Sequence, residues 1–172
     1  MPRLIALMVL LGLACAQQFN ITGRVSYSAS YSLGAWQGSN GSVRGSVTWN
    51  VQTGEASGRI CVELARFETG NPLRDADSRG VFDTGKNPQS CMDVQRLSLS
   101  GDDATLVGQL EISGVRRVKQ IAGKLVKEGG NYRFSGRFNT SFSEWNLTRP
   151  QLLFITINDP IEVRLEALAT AR

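Results

Sequence analysis

The feature that most constrains this chain is an alternation of apolar and polar side chains with a period of two residues. In residues 24–33, Val25, Tyr27, Ala29, Tyr31 and Leu33 fall on one face and four serines on the other. Residues 43–51 place Val43, Val47, Trp49 and Val51 together, with Gly45 between them. Tyr132, Phe134 and Phe138 oppose Arg133, Ser135 and Arg137, and Ile161, Val163, Leu165 and Ala167 oppose Glu162, Arg164 and Glu166. Only a strand sends successive side chains to opposite faces, so these segments read as half-buried antiparallel strands.

Further strand candidates lie at 59–67, 90–99, 104–112, 115–126 and 152–157, separated by turn-forming residues at 52–55, 101–103, 113–114, 128–131 and 158–160. Eight or nine strands joined mainly to their sequence neighbours must dispose of their edges. A closed up-and-down barrel does so completely, and about eight strands leave an interior able to hold one small ligand. A two-sheet sandwich is the alternative. The size of the inward candidates favours the barrel, and the serine and glycine interleaved among the aromatic faces fit a lined cavity as well as a solid core. At 172 residues, with no fixed-period repeat and no low-complexity linker, the chain reads as one all-β domain over residues 17–172.

Residues 1–16 read as a secretory signal peptide. Arg3 supplies the positive start, residues 4–14 the apolar run, and Ala14-Cys15-Ala16 a small-residue cleavage site before Gln17. The alternative is a lipoprotein cut before Cys15, but that signal favours leucine three residues upstream, where this chain has Gly12. The expected location is therefore periplasmic or secreted. No later run is long and apolar enough to make a transmembrane helix. With Cys15 removed, Cys61 and Cys91 remain. An even pair in an exported protein is a candidate disulfide, and two separate buried thiols are the alternative.

Composition removes several function classes. Loss of Arg3 with the signal lowers the formal charge from +4 to +3, and no basic run is interleaved with aromatics, so no nucleic-acid partner is expected. Arg116-Arg117-Val118-Lys119 reads as a solvated strand face. There is no histidine, which excludes Ser-His and Cys-His nucleophile pairs and the commonest transition-metal ligand. Asp75 and Asp77 begin like a calcium loop, but glycine comes one place late, at Gly80, and the closing glutamate position is Lys86. No catalytic residue, metal or cofactor is expected. The sequons at Asn20, Asn40, Asn139 and Asn146 read as ordinary polar surface.

Residues 69–88 interrupt the alternation with TGNPLRDADSRGVFDTGKNP. Thr69-Gly70-Asn71, Leu73-Arg74-Asp75, Asp77, Val81-Phe82-Asp83 and Asn87-Pro88 resemble, in order, the corresponding region of the YceI-like family of exported bacterial proteins. LVGQLEISGVRR (residues 106–117) and the closing EVRLEALA (residues 162–169) agree with it, so the resemblance spans most of residues 19–170. The family's first-strand His-Ser and its later histidine-bearing turn are replaced here by Val25-Ser26 and Val115-Arg116-Arg117, which marks a divergent member.

The resemblance implies a lipocalin-like antiparallel barrel with one short helical crossing near residues 71–83. It also implies a hydrophobic tunnel for a long-chain isoprenoid lipid, either a polyprenyl chain or a quinone tail. Apolar lining is then expected from Tyr27, Tyr31, Val47, Trp49, Phe67, Phe82, Tyr132, Phe134, Phe138 and Phe154. Trp36 and Trp145 are expected at a mouth. Arg74 and Asp75 are candidates to meet a lipid headgroup, the alternative being that they fix the shape of the crossing. A homodimer is left open, and a solid-cored interaction module of the cell envelope is the competing reading of function.

Overall fold

The computed structural model describes residues 16–152 and 155–172; the signal-peptide and Cys15 expectations lie outside them, as does Phe154. The strands are β1 (Gln17–Tyr31), β2 (Gly34–Trp49), β3 (Glu55–Glu63), β4 (Gln89–Ser100), β5 (Asp103–Ile112), β6 (Val115–Glu128), β7 (Asn131–Ser141), the two-residue β8 (Gln151–Leu152) and β9 (Ile155–Thr156), and β10 (Pro160–Ala171). All but β8 and β9 form one closed antiparallel barrel in which every strand pairs with its neighbours in chain order. β1 closes it against β10 in a register running from Phe19 opposite Ala171 to Ser28 opposite Glu162. No barrel edge is left to pair with another chain, and the sandwich alternative is excluded.

The up-and-down path gives the barrel two unlike ends. Short turns at 50–54, 101–102 and 129–130 close one of them, called here the turn end. The other, the loop end, carries the β1–β2 and β5–β6 turns and both long connections. The first connection contains a short 3-10 helix (Leu64–Arg66) and helix α1 (Pro72–Phe82). Asn71 caps α1, its Oδ1 accepting from the Leu73 and Arg74 amides, with Pro72 next in the first turn, where its missing N–H costs nothing. Asp83, at φ 47°, ends the helix in the left-handed region.

The second connection, residues 142–159, corrects one expectation. Of residues 152–157, those described form no barrel strand: β8 and β9 pair only with each other, and Ile157 is buried with Ala29 and Ile161. Leu33 and Val51, which alternation placed with the inward residues, are both exposed because each strand turns before reaching them.

Glycines permit the closest approaches. A Cβ on Gly45 would lie 2.1 Å from the Arg59 carbonyl oxygen of β3, so strand contact there excludes any side chain. Gly38 faces Tyr27 across β1 and β2, and the Tyr27 ring lies over it, 2.4 Å from where a Cβ would stand.

The two halves of the interior are filled differently. Towards the turn end, Phe19, Val47, Trp49, Leu106, Leu125 and Phe134 belong to a continuous buried core. Phe19, Trp49 and Tyr132 meet ring to ring at centroid distances of 5.3 to 6.3 Å. The Trp49 indole N–H donates to the Leu97 carbonyl at 2.9 Å, which satisfies the one polar atom of that side chain.

Cys61 and Cys91 stand directly opposite on β3 and β4 and are joined by a disulfide. The bridge closes the base of the excursion that carries α1. It lies on the opposite face from the neighbouring pair Ile60 and Met92, whose side chains point into the barrel.

Candidate functional site

A cavity of about 310 Å³ fills the loop-end half of the barrel, between the strand walls, α1 and the 142–159 connection. Its lining is overwhelmingly apolar. Val25, Val43, Ile60, Leu110, Ile121 and Val163 come from six of the strands, and Leu147 and Ile157 come from the second connection. A second void of about 60 Å³ lies in the packed half, and Ile60 and Leu165 line both spaces. These two side chains stand between the two spaces, and the larger one ends against the packed half of the barrel.

Of the residues singled out from sequence, Tyr27, Tyr31, Phe67, Phe82 and Phe138 lie on the cavity wall. Val47, Trp49, Tyr132 and Phe134 do not; they surround the small void in the packed half. Strand alternation put them on the interior face correctly, but it carries no information on depth along the barrel axis. Trp36 and Trp145 also line the cavity.

Trp36 reaches the wall through a β-bulge. The β1–β2 register slips between the pairs Gly23–Val43 and Val25–Asn40, so the inward set on β2 changes from odd to even residues. Asn40, 2% exposed, holds the bulge from inside the fold. Its Nδ2 donates to the Glu63 carbonyl at 2.7 Å, and its Oδ1 accepts from the Ser42 amide and hydroxyl at 2.8 and 2.6 Å. The Asn40 sequon, expected as ordinary polar surface, is therefore a buried structural device. Sequence reasoning missed this bulge; the mid-strand glycine in Asn40-Gly41-Ser42 is the one signal that could have found it.

An aromatic row runs along the mouth. Phe82 stacks on Phe67 at 6.4 Å, Phe67 meets Tyr27 edge-on at 5.5 Å, and Tyr31 packs against Trp36 at 5.8 Å. Arg74 of α1 places its guanidinium 5.1 Å from the centre of the Trp36 ring. Its Nε donates to Thr69 Oγ1 at 2.9 Å, and that hydroxyl donates to Asp75 Oδ1 at 2.6 Å. The Thr69 amide donates to the same carboxylate oxygen at 2.9 Å. Asp75 is thus turned to the loop and fixes its shape, whereas Arg74 borders the cavity. Burial pushes the Tyr27 hydroxyl pKa up, and the neighbouring Trp36 and Ser78 side chains and the Arg74 charge offset this only in part.

The two covers over the cavity are held differently. No residue of α1 is buried, and Leu73, which contributes to the lining, is 79% exposed, so the cavity meets solvent along the first helical turn. The second connection is tied down at several points. Asn158 bonds Ser30 through backbone and side chain, and Asp159 accepts from the Ser143 amide and hydroxyl. Lys119 turns inward from β6, leaving a side chain 12% exposed, and its Nζ lies 2.7 Å from both Glu144 oxygens. Thr140 donates to the same carboxylate, and the Trp145 indole donates to Thr140. The solvated strand face expected at 116–119 holds for the exposed Arg116, Arg117 and Val118 but not for Lys119.

Among the described residues, no group of three or more His, Cys, Asp or Glu is placed to hold a metal ion, and no helix is long and apolar enough to cross a membrane. The arrangement offers a deep apolar pocket with a few polar groups gathered at its mouth.

Residues 18–169 match the YceI-like domain family. No curated protein sequence matches the chain significantly. Among solved structures, Burkholderia cenocepacia BcnA superposes with a TM-score of 0.76 at 17% identity, covering 86% of this chain and 96% of its own. A Saccharophagus degradans domain described as polyisoprenoid-binding and implicated in plant cell wall breakdown superposes at 0.70 with 12% identity, over 92% and 100% of the two chains. The Campylobacter jejuni YceI protein superposes at 0.64 with 16% identity, over 78% and 84%. At these identities the likeness is one of fold.

Proposed function

This chain belongs to the YceI-like domain family, and on that premise we propose that it is a non-catalytic binding protein for an isoprenoid-type lipid, a polyprenyl chain or quinone tail. The observation that carries the proposal is the apolar cavity of about 310 Å³ in the loop-end half of the barrel. That volume falls at the lower end of the range for small-molecule sites. Each methylene moved from water into such a lining gains about 0.8 kcal/mol, so a branched hydrocarbon tail binds through contact area and needs few polar partners. The polyisoprenoid-binding description of the Saccharophagus degradans neighbour supports the same chemistry. On this reading Tyr27, Tyr31, Phe67, Phe82 and Phe138 contact the ligand, and Arg74 borders its outer end. Val47, Trp49, Tyr132 and Phe134 form the floor's foundation.

The signal-like residues 1–16 support export, with the mature chain beginning at Gln17 and acting in the cell envelope as a carrier or sequestering protein. The solid turn-end half favours the competing reading, a packed interaction module, for that half alone. The decisive experiment is organic extraction of the protein purified from its native envelope, followed by mass spectrometry. A co-purifying isoprenoid lipid is the expected result. Absence of any bound lipid, together with no uptake of a farnesyl-chain probe, overturns the proposal.

A further inference from the structure

The hydrocarbon a barrel can hold is limited by the space that receives it. A dry apolar cavity of about 150 Å³ accommodates benzene, or about 25 Å³ for each carbon. On that scale the loop-end cavity of about 310 Å³ holds a chain of about twelve carbons. Adding the void of about 60 Å³ beyond Ile60 and Leu165 raises the capacity only to about fifteen carbons. The packed half of the barrel denies further depth. There Phe19, Trp49 and Tyr132 meet ring to ring, and the Trp49 indole N–H donates to the Leu97 carbonyl at 2.9 Å. A longer chain could advance only by parting these rings and leaving that buried donor unpaired. At the other end, the second connection is tied to the wall through Asn158–Ser30 and Lys119–Glu144. The open side lies along the first turn of α1, where Leu73 is 79% exposed. Carbons that emerge there return to water and add nothing to binding.

We infer that this barrel selects a short isoprenoid chain of two to three units, about ten to fifteen carbons, and that Phe19, Trp49 and Tyr132 set the limit by filling the turn end. The inference rests on the proposed lipid-binding role and adds the length of the chain. A much longer polyprenyl chain would keep most of its hydrocarbon outside the barrel, where it gains no contact area.

Geraniol, farnesol and geranylgeraniol share one head group and differ by one isoprene unit at each step, so their affinities for the mature protein isolate chain length. Titrations below their aggregation limits can follow tryptophan fluorescence, since Trp36 and Trp145 line the cavity. Each carbon seated in the lining is worth roughly fourfold in affinity. Farnesol is therefore expected to bind at least about tenfold more tightly than geraniol, and geranylgeraniol within about tenfold of farnesol. A pocket that admitted the fourth unit in full would instead gain roughly a thousandfold at the second step. The nitrogen-15 indole resonance of Trp49 reports on the packed half and should move no further with geranylgeraniol than with farnesol. A gain above about tenfold from farnesol to geranylgeraniol overturns the length limit while leaving the lipid-binding reading standing. Equal binding of geraniol and farnesol, or a Trp49 resonance displaced only by the longest chain, does the same. Binding of none of the three overturns both.

Discussion

Lys119 extends from the inner face of β6 and meets Glu144 on the second connection, its ammonium 2.7 Å from each carboxylate oxygen and poised 5.6 Å from the Phe138 and Trp145 ring centres. The pair ties the loop-end cover to the wall at a place where neither partner is well solvated. Burial works against the Glu144 carboxylate, but the Lys119 ammonium and the Thr140 hydroxyl outweigh it and hold its pKa below the usual carboxylate range. Most other ion pairs of the barrel are far more exposed, such as Lys124–Asp103 and Arg133–Glu128, and contribute little.

Glu144→Gln is expected to lower stability at neutral pH by about 1–3 kcal/mol, because it leaves the Lys119 ammonium without its counter-ion. That corresponds to a fall in Tm of roughly 2–12 °C for a chain of this size. The sign with pH follows from the depressed pKa. The carboxylate contributes fully above its unfolded value, and the contribution is lost as pH falls through the lower folded value. Thermal melts of both proteins from neutral pH into acid should therefore converge. A gap that stays constant into acid contradicts this linkage.

Asn40→Ala removes three hydrogen bonds from a buried site and leaves the Glu63 carbonyl and the Ser42 amide short of partners. A loss of about 2–4 kcal/mol in urea unfolding is expected. Relaxation of the bulge should also disturb Trp36, four residues away on β2, so its indole resonance should shift while those of Trp49 and Trp145 hold. An unchanged Trp36 resonance would show that the bulge does not depend on Asn40.

Reduction of Cys61–Cys91 releases a loop of about thirty residues in the unfolded chain, for a sequence separation of 30. Loop-closure entropy puts the stabilisation lost at about 3–4 kcal/mol. A thiol titration of the native mature protein should count none before reductant and two after it, and urea midpoints measured on either side should differ accordingly. Two thiols in the untreated protein refute the bridge.

Leu165→Ala removes a side chain that stands between the cavity of about 310 Å³ and the void of about 60 Å³. Loss of a large side chain beside the core should cost about 2–4 kcal/mol. In exchange the pocket deepens, and the preference among farnesyl, geranylgeranyl and longer polyprenyl probes should move to the longer chain. An unchanged length preference in a folded variant means that Leu165 does not set the depth.

Much of this fold was legible in the residue order. Alternation along residues 24–31, 131–139 and 161–169 fixed strands and inward faces, because a pleat has period two whatever lies beyond it. Thr69-Gly70-Asn71-Pro72 specified the crossing locally: Gly70 at φ 77° for the turn, Asn71 as the cap, and Pro72 in the first turn. The absence of histidine excluded Ser-His and Cys-His nucleophile pairs. What alternation cannot report is position along the barrel axis, since depth depends on strand stagger. Tyr132 and Phe134 thus read like Phe138, yet they fill the packed half while Phe138 faces the cavity. Nor can it follow a change of phase. Trp36 comes onto the inner wall only because Asn40 finds the Glu63 carbonyl 23 residues away and stabilises an extra residue in β2. Local chemistry determined the strands and the helix; long-range hydrogen bonds and closure of the barrel decided which aromatics face a cavity and which fill a core.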